Sequence, residues 1–341
     1  MLAEMKLGGT IMRLPVLVFA AIAAVIFSTA SVCAQDGTRL TITGGSPAGL
    51  WSMLGAGIDS SYREDNSNNV VTYQTSGGGL ANVAIVSAGQ AELGIIHNIE
   101  LKAAAEGQAP FKAPVNNLRA IGVLYNWAPM QMVITAKFAD EYGIKTMRDV
   151  AEKKPPLRIA VNQRGNMVQE TNRQILAAYG VSYEDIESWG GQIVFAPGGD
   201  MVNLFNDGRI DMGGNGVFVP DKRFVQVSQT MDLRILPLDQ DVIEKVSAQT
   251  GAEPYVISAG GYPWQEEDVP TVALSAVLVA NSAMSDDIAY NLAKAITVHV
   301  DKIRAVHKAM KKLSPDLFAS LKVIPYHPGA ERYYREVGLA K

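Results

Sequence analysis

Four turns in this chain combine glycine with small polar residues next to an apolar, strand-like run. The first, Thr43-Gly44-Gly45-Ser46-Pro47-Ala48-Gly49, leads into Leu50-Trp51, and the second, Ser76-Gly77-Gly78-Gly79, leads into Leu80-Ala81-Asn82. A strand–glycine turn–helix unit aims free backbone N–H groups and a positive helix end at one small space, which suits a carboxylate or a phosphate. The third turn, Asn162-Gln163-Arg164-Gly165-Asn166-Met167, adds a fixed positive charge in Arg164, able to hold a carboxylate bidentately. The fourth, Gly213-Gly214-Asn215-Gly216-Val217-Phe218, offers the Asn215 amide and an apolar wall in Phe218. Each also has a plainer reading: a tight turn in which glycine supplies positive φ, or, for Arg164, a solvated loop side chain. The first two follow adjacent strands and could share one ligand.

The chemistry on offer is holding rather than cutting. None of the turns carries a nucleophile–base pair or a Gly-Lys-Ser/Thr tail, and the chain has no Gly-x-Ser-x-Gly or His-Glu-x-x-His motif. The four histidines, His97, His299, His307 and His327, lack metal-ligand spacing among themselves. His97 and Asn98 follow a strand and could face a cleft, with a satisfied structural histidine as the rival reading. His299 and His307 read as solvated positions on a charged C-terminal helix. We expect no catalytic residue, metal or cofactor.

These residues need elements to position them. Hydrophobic spacing predicts strands over 40–43, 70–74 and 91–96, separated by helices over 51–63 and 80–88, then strands over 118–124 and 130–136. A second α/β run follows: a helix from 145, a strand over 158–161, a helix over 169–179, a strand over 193–195, a helix over 201–206 and a strand over 209–213. Residues 253–263 and 271–280 lead back to one amphipathic helix over 286–312. The alternation predicts an α/β fold with a mostly parallel sheet, in two lobes about a hinged cleft, with ligand contacts beyond the carboxyl ends of the strands.

The first residues predict export. Lys6 and Arg13 precede an apolar run over 14–30, and Val32-Cys33-Ala34 fits a small-residue cleavage site, with the cut after Ala34. Met12 is an alternative start, and an uncleaved anchor is the rival reading. Cleavage would remove Cys33, the one cysteine, and change the formal net charge from −4 to −5 by taking Glu4, Lys6 and Arg13. A mildly acidic product argues against nucleic acid and anionic membrane surfaces as partners. No later apolar run reaches spanning length.

The ordered motifs resemble the TAXI family of periplasmic solute receptors, which serve TRAP-type secondary transporters. The markers are Thr43-Gly44-Gly45-Ser46 with Gly49 and Gly55; Ser76-Gly77-Gly78 with Asn82; and Gly89-x-Ala91-Glu92-Leu93-Gly94-Ile95. Further along come Gly261-Tyr262-Pro263 with Val269-Pro270-Thr271-Val272, and finally His327-Pro328-Gly329-Ala330-Glu331-Arg332-Tyr333-Tyr334. The resemblance runs from about Leu40 to Leu339.

It implies a two-lobed type II periplasmic-binding-protein fold that closes on a small organic anion, a dicarboxylate, oxo acid or amino acid, and presents it to TRAP permease subunits. On that basis residues 1–34 would be a signal peptide, 36–134 plus 272–341 lobe 1, and 135–271 lobe 2. The expected ligand contacts are Gly45, Ser46, Trp51, Ser76, Gly77, Gly78, His97 and Asn98 from lobe 1, and Arg164, Asn166, Met167, Asn215 and Phe218 from lobe 2.

The chain departs from the family at three places. Leu50 and Trp51 stand where Thr and Tyr are frequent, Gly79 replaces a serine, and Gly165-Asn166-Met167 replaces Ser-Gly-Thr. Hydroxyl donors are lost and apolar wall is gained, which favours a bulkier or more apolar acid. An exported sensory or interaction protein, or an exported enzyme, are the alternative readings.

Overall fold

The computed structural model describes residues 37–340 apart from 46, 48 and 165; the expected signal peptide and Ser46 lie outside the described residues. The chain begins with β1 (Arg39–Thr43), α1 (Leu50–Asp65), β2 (Val70–Gln74), α2 (Gly79–Ser87), β3 (Leu93–His97) and α3 (Asn98–Glu106). β1 pairs in parallel with β2 on one side and β3 on the other. α1 turns Leu54, Ile58 and Tyr62 inward, a spacing of four that keeps them on one helical face against the sheet.

A long strand, β4 (Leu118–Thr135), then runs through the middle of the molecule. The second α/β run contains α4 (Ala136–Glu141), α5 (Met147–Lys153), β5 (Arg158–Ala160), α6 (Met167–Ala178), α7 (Tyr183–Ser188), β6 (Gln192–Val194), α8 (Met201–Asn206), β7 (Met212–Gly216), α9 (Lys222–Val227), β8 (Leu233–Ile235), α10 (Gln240–Thr250) and β9 (Glu253–Ile257). A second long strand, β10 (Val269–Asn281), returns the chain to the first half, where α11 (Asp286–Val298), α12 (Val300–Arg304), α13 (Pro315–Phe318) and α14 (Pro328–Glu336) complete it.

The strand order is β2-β1-β3-β10-β4-β7-β5-β6, with β8 on β4 and β9 on β10. β4 pairs with β10 over Leu118–Pro129 and with β7 over Met130–Ile134. β10 pairs with β9 over Val269–Ala273 before it inserts between β3 and β4. These two strands therefore belong to both halves of the sheet. Nearly every β4 residue is buried, as expected of a strand covered on both faces.

Four sequence expectations are corrected. The sheet is mixed rather than mostly parallel, with four parallel and five antiparallel pairings, because β4 and β10 meet their neighbours antiparallel. The two strands expected over 118–136 are one. Asn126-Trp127-Ala128-Pro129 looks like a break, but Pro129 sits where β4 changes partner from β10 to β7, a place that tolerates a residue without an N–H.

The last strand of the second run lies three residues later than expected, so Gly213 to Gly216 are strand and not turn. Gly214 is required there: a Cβ would lie 2.0 Å from Asn172 Oδ1. Finally, the helix expected over 286–312 ends at Val298 and resumes at Val300, and a 3₁₀ turn then covers Lys308–Lys312. Among the described residues, no helix is long and apolar enough to cross a membrane.

Candidate functional site

The turns after β1 and β2 are bonded to each other. Ser76 Oγ lies within hydrogen-bond reach of the Gly44 carbonyl and, at 2.5 Å, of Asn82 Oδ1, and it accepts from Gly78 N at 3.0 Å. Asn82, fully buried, also accepts from Thr43 Oγ1 at 2.9 Å and donates to the Ile95 carbonyl at 2.7 Å. Tyr73 donates from its hydroxyl to the Gly45 carbonyl at 3.1 Å. The hydroxyl expected to meet a ligand is thus spent joining β1, β2 and α2, and Gly77 and Gly78 are held beside it.

The positive end of α2 already faces an acid of the chain itself. Glu100, on α3 and only 5% exposed, lies so close to Gly79 that a Cβ there would stand 1.5 Å from its Oε2. The same oxygen accepts from His97 N at 3.0 Å and lies 3.4 Å from His97 Nδ1, an atom that is buried without a hydrogen bond. A serine at position 79 would therefore have no room here.

Asn98 is equally committed. It donates to the Gly251 carbonyl at 2.5 Å and accepts from Ser275 N at 3.0 Å, tying α3 to β10 and to the end of α10. Its side chain is a structural cross-link, which accounts for its 1% exposure.

In the second half, Arg164 is exposed and its guanidinium lies 3.5 Å over the Phe195 ring. Asn166 caps α6 by accepting from Val168 N at 2.7 Å, while Met167 is buried in the core. Asn162 holds a left-handed φ of 80°, a conformation asparagine tolerates, and donates to Asn215 Oδ1 at 3.3 Å. Asn162 and Asn215 thus join the carboxyl ends of β5 and β7, while Arg164 lies over Phe195, just after β6.

The two halves meet through aromatic rings. Trp51 lies 4.8 Å from the His97 ring and donates from Nε1 to the Tyr125 hydroxyl at 3.1 Å. Tyr125, on β4, meets Phe218 edge-to-face at 4.9 Å, and Phe218 also stacks on Trp127 at 6.3 Å. Burial pushes the Tyr125 hydroxyl far above its usual range, so it stays neutral and serves as a hydrogen-bonding group. Of the expected site residues, the structure brings Trp51, His97 and Phe218 into this row.

Beside the row is a cavity of about 910 Å³. Its first-half lining includes Leu50, Tyr125, Ala128, His307 and Lys308; its second-half lining includes Val217, Phe218, Pro220, Asp221, Lys222 and Val225. Gly260, Gly261 and Pro263 complete the rim. Asp221 is neutralised by a bidentate pair with Arg223, at 2.8 and 2.7 Å. Lys222 and Lys308 make no ion pair among the described residues, so the lining carries a net positive charge.

His307 corrects its expected place on a solvated helix. It caps the 3₁₀ turn, accepting from Ala309 N at Nδ1 over 3.1 Å, and lines the cavity. In the neutral ring the remaining hydrogen is then on Nε2. Sequence reasoning missed Glu100, Tyr125, Trp127, Lys222 and Lys308. Only the aromatic density of Tyr125-Asn126-Trp127 was a visible signal.

Residues 37–340 form the mixed α/β fold of the periplasmic binding proteins. PhnD1 from Prochlorococcus marinus (MIT 9301), solved in complex with methylphosphonate, is similar with a TM-score of 0.52 and 12% identity, over 89% of this chain and 99% of that one. A protein from Xanthomonas citri bound to chloride ion gives a TM-score of 0.51 and 11% identity, over 88% and 97%. Within that class the chain belongs to the NMT1-like family, which it matches over residues 42–338.

Proposed function

We propose that this protein is an extracytoplasmic solute receptor that binds a small organic anion between its two halves and delivers it to a membrane transporter. The observation that carries this reading is the positively lined, largely apolar cavity shared by both halves of a sheet that β4 and β10 connect. Pockets of this size and composition suit small molecules. The fold is that of a protein solved with methylphosphonate, and the motifs from Thr43 to Tyr334 resemble receptors of TRAP-type transporters, the partner we infer. We infer a periplasmic location and cleavage after Ala34 from the apolar, positively flanked start of the chain.

In this reading residues 36–134 plus 272–341 form lobe 1 and 135–271 form lobe 2. Ligand contacts to both lobes favour a closed state in which β4 and β10 act as the hinge. Trp51 and Phe218 supply walls, and the Arg164–Asn166 turn approaches from lobe 2. No bond is made or broken, so the protein is a receptor and not an enzyme.

Thermal-shift screening of residues 35–341 against organic acids, amino acids and uncharged solutes tests this. Stabilisation by at least one acid is expected. If only uncharged or cationic solutes stabilise the protein, the anion reading fails. Loss of uptake of the same acid in a strain lacking either the receptor or its TRAP permease tests the partner.

A further inference from the structure

We propose that the ligand is an aromatic carboxylate, with its ring against Tyr125 and Phe218 and its carboxylate held by Lys222, Lys308 and His307. This rests on the solute-receptor reading above and deepens it. Two independent observations carry it.

The first concerns where an acid group cannot go. The end of α2, the natural anion position of the first half, is filled by Glu100, which lies against Gly79 with its Oε2 bonded to His97 N. The hydroxyl of Ser76 is spent on Gly44 and Asn82. An incoming carboxylate at the second glycine turn would meet another carboxyl group and a used donor. The glycine turns are therefore support for the site and not its grip.

The second concerns where an acid group can go. The cavity beside Phe218 holds two lysines that make no ion pair among the described residues, and the one acid in its lining, Asp221, is cancelled by Arg223. His307 engages its Nδ1 with Ala309 N, which leaves Nε2 as the donor of the neutral ring. Lys308 and His307 come from the first half and Lys222 from the second, so one carboxylate placed between them links the halves.

The rest of the lining selects the body of the ligand. Leu50, Ala128, Val217, Phe218, Pro220 and Val225 offer apolar surface and few hydroxyls. Phe218 and Tyr125 already pack edge-to-face at 4.9 Å, the arrangement that a third ring extends. A four-carbon diacid bound the same way would leave its second carboxylate against the apolar wall.

Isothermal calorimetry on the full receptor with benzoate, phenylacetate, cyclohexanecarboxylate and succinate tests this. Wild type is expected to bind an aryl acid about tenfold or more tighter than succinate, and tighter than cyclohexanecarboxylate. Lys222→Gln/Lys308→Gln should weaken aryl-acid binding about tenfold or more, since both charged donors to the carboxylate are removed. Both lysines are exposed, so the variant should melt like wild type. Lys245→Gln, at an exposed position of α10 away from the cavity lining, is the matched control and should bind as wild type does.

If succinate binds and the aryl acids do not, or if the double variant keeps its aryl-acid affinity, this inference is overturned while the receptor reading stands. Equal affinity for benzoate and cyclohexanecarboxylate overturns the aromatic part of it. If no acid binds and an uncharged solute does, both readings fall together.

Discussion

Gly79 and Glu100 are a pair of choices that make sense only together. A side chain at 79 would occupy the space of the Glu100 carboxyl group, with a Cβ to Oε2 separation of 1.5 Å. Gly79→Ser should therefore destabilise the protein by about 1–3 kcal/mol, the usual range for overpacking a well-filled site. Removing the obstacle should return part of that loss: in a double-mutant cycle by urea denaturation, Gly79→Ser combined with Glu100→Ala should cost less than the sum of the two single changes. Additive costs would show that the two residues do not compete for one space. A second outcome belongs to Tyr125. Tyr125→Phe leaves Trp51 Nε1 without its acceptor at 3.1 Å, and should cost about 0.5–1.5 kcal/mol and shift the Trp51 emission.

At the scale of elements, the joints are polar side chains buried between them. Asn98→Ala should cost about 2 kcal/mol, because it strands the buried Ser275 N and removes the donor of the part-buried Gly251 carbonyl. His327, 1% exposed, starts α14 in the same manner, its Nε2 3.0 Å from the Met284 carbonyl and its Nδ1 facing Gly329 N. Burial holds its pKa below the ordinary 6.5, Arg119 adding to this and Asp286 opposing it. The unfolded chain therefore binds this proton at a pH where the folded one does not. His327 contributes fully above pH 6.5, and its contribution is lost as the pH falls toward the lower folded value. Melting temperature should drop through that window in wild type, and the drop should be smaller in His327→Asn.

Much of this level was legible in the sequence. The β1–α1–β2–α2–β3 run follows from apolar spacing, and each element lies within two residues of its expectation. What was not legible involves contacts that no local pattern records. Pro129 marks a change of pairing partner and not a strand end, and the glycines of β7 serve close packing against Asn172, Leu274 and Met130 and not a turn. The site shows the same division. Trp51 and Phe218 stand out as large residues beside glycine turns, but Glu100 meets Gly79 from a helix that begins after the next strand, and Lys308 lines the same cavity as Lys222 from far along the chain.

For the whole molecule, the order in which the sheet is built differs from the order in which it is made. β10, the last strand synthesised, lies in the interior of the sheet between β3 and β4. β4 to β9, with the helices between them, form a contiguous stretch, whereas the first half needs residues up to Asn281 before β3 has its second neighbour. Closing so long a loop is entropically costly and slows the pairing that depends on it. Pulse-labelled hydrogen exchange during refolding should show amides of β5 and β7 protected before those of β3, and equal rates would contradict this order. A chain that cannot finish its central sheet until Asn281, about four-fifths of the way along, remains unfinished for most of its synthesis. For the export proposed above, that delay would keep a newly made chain threadable while its central sheet is incomplete.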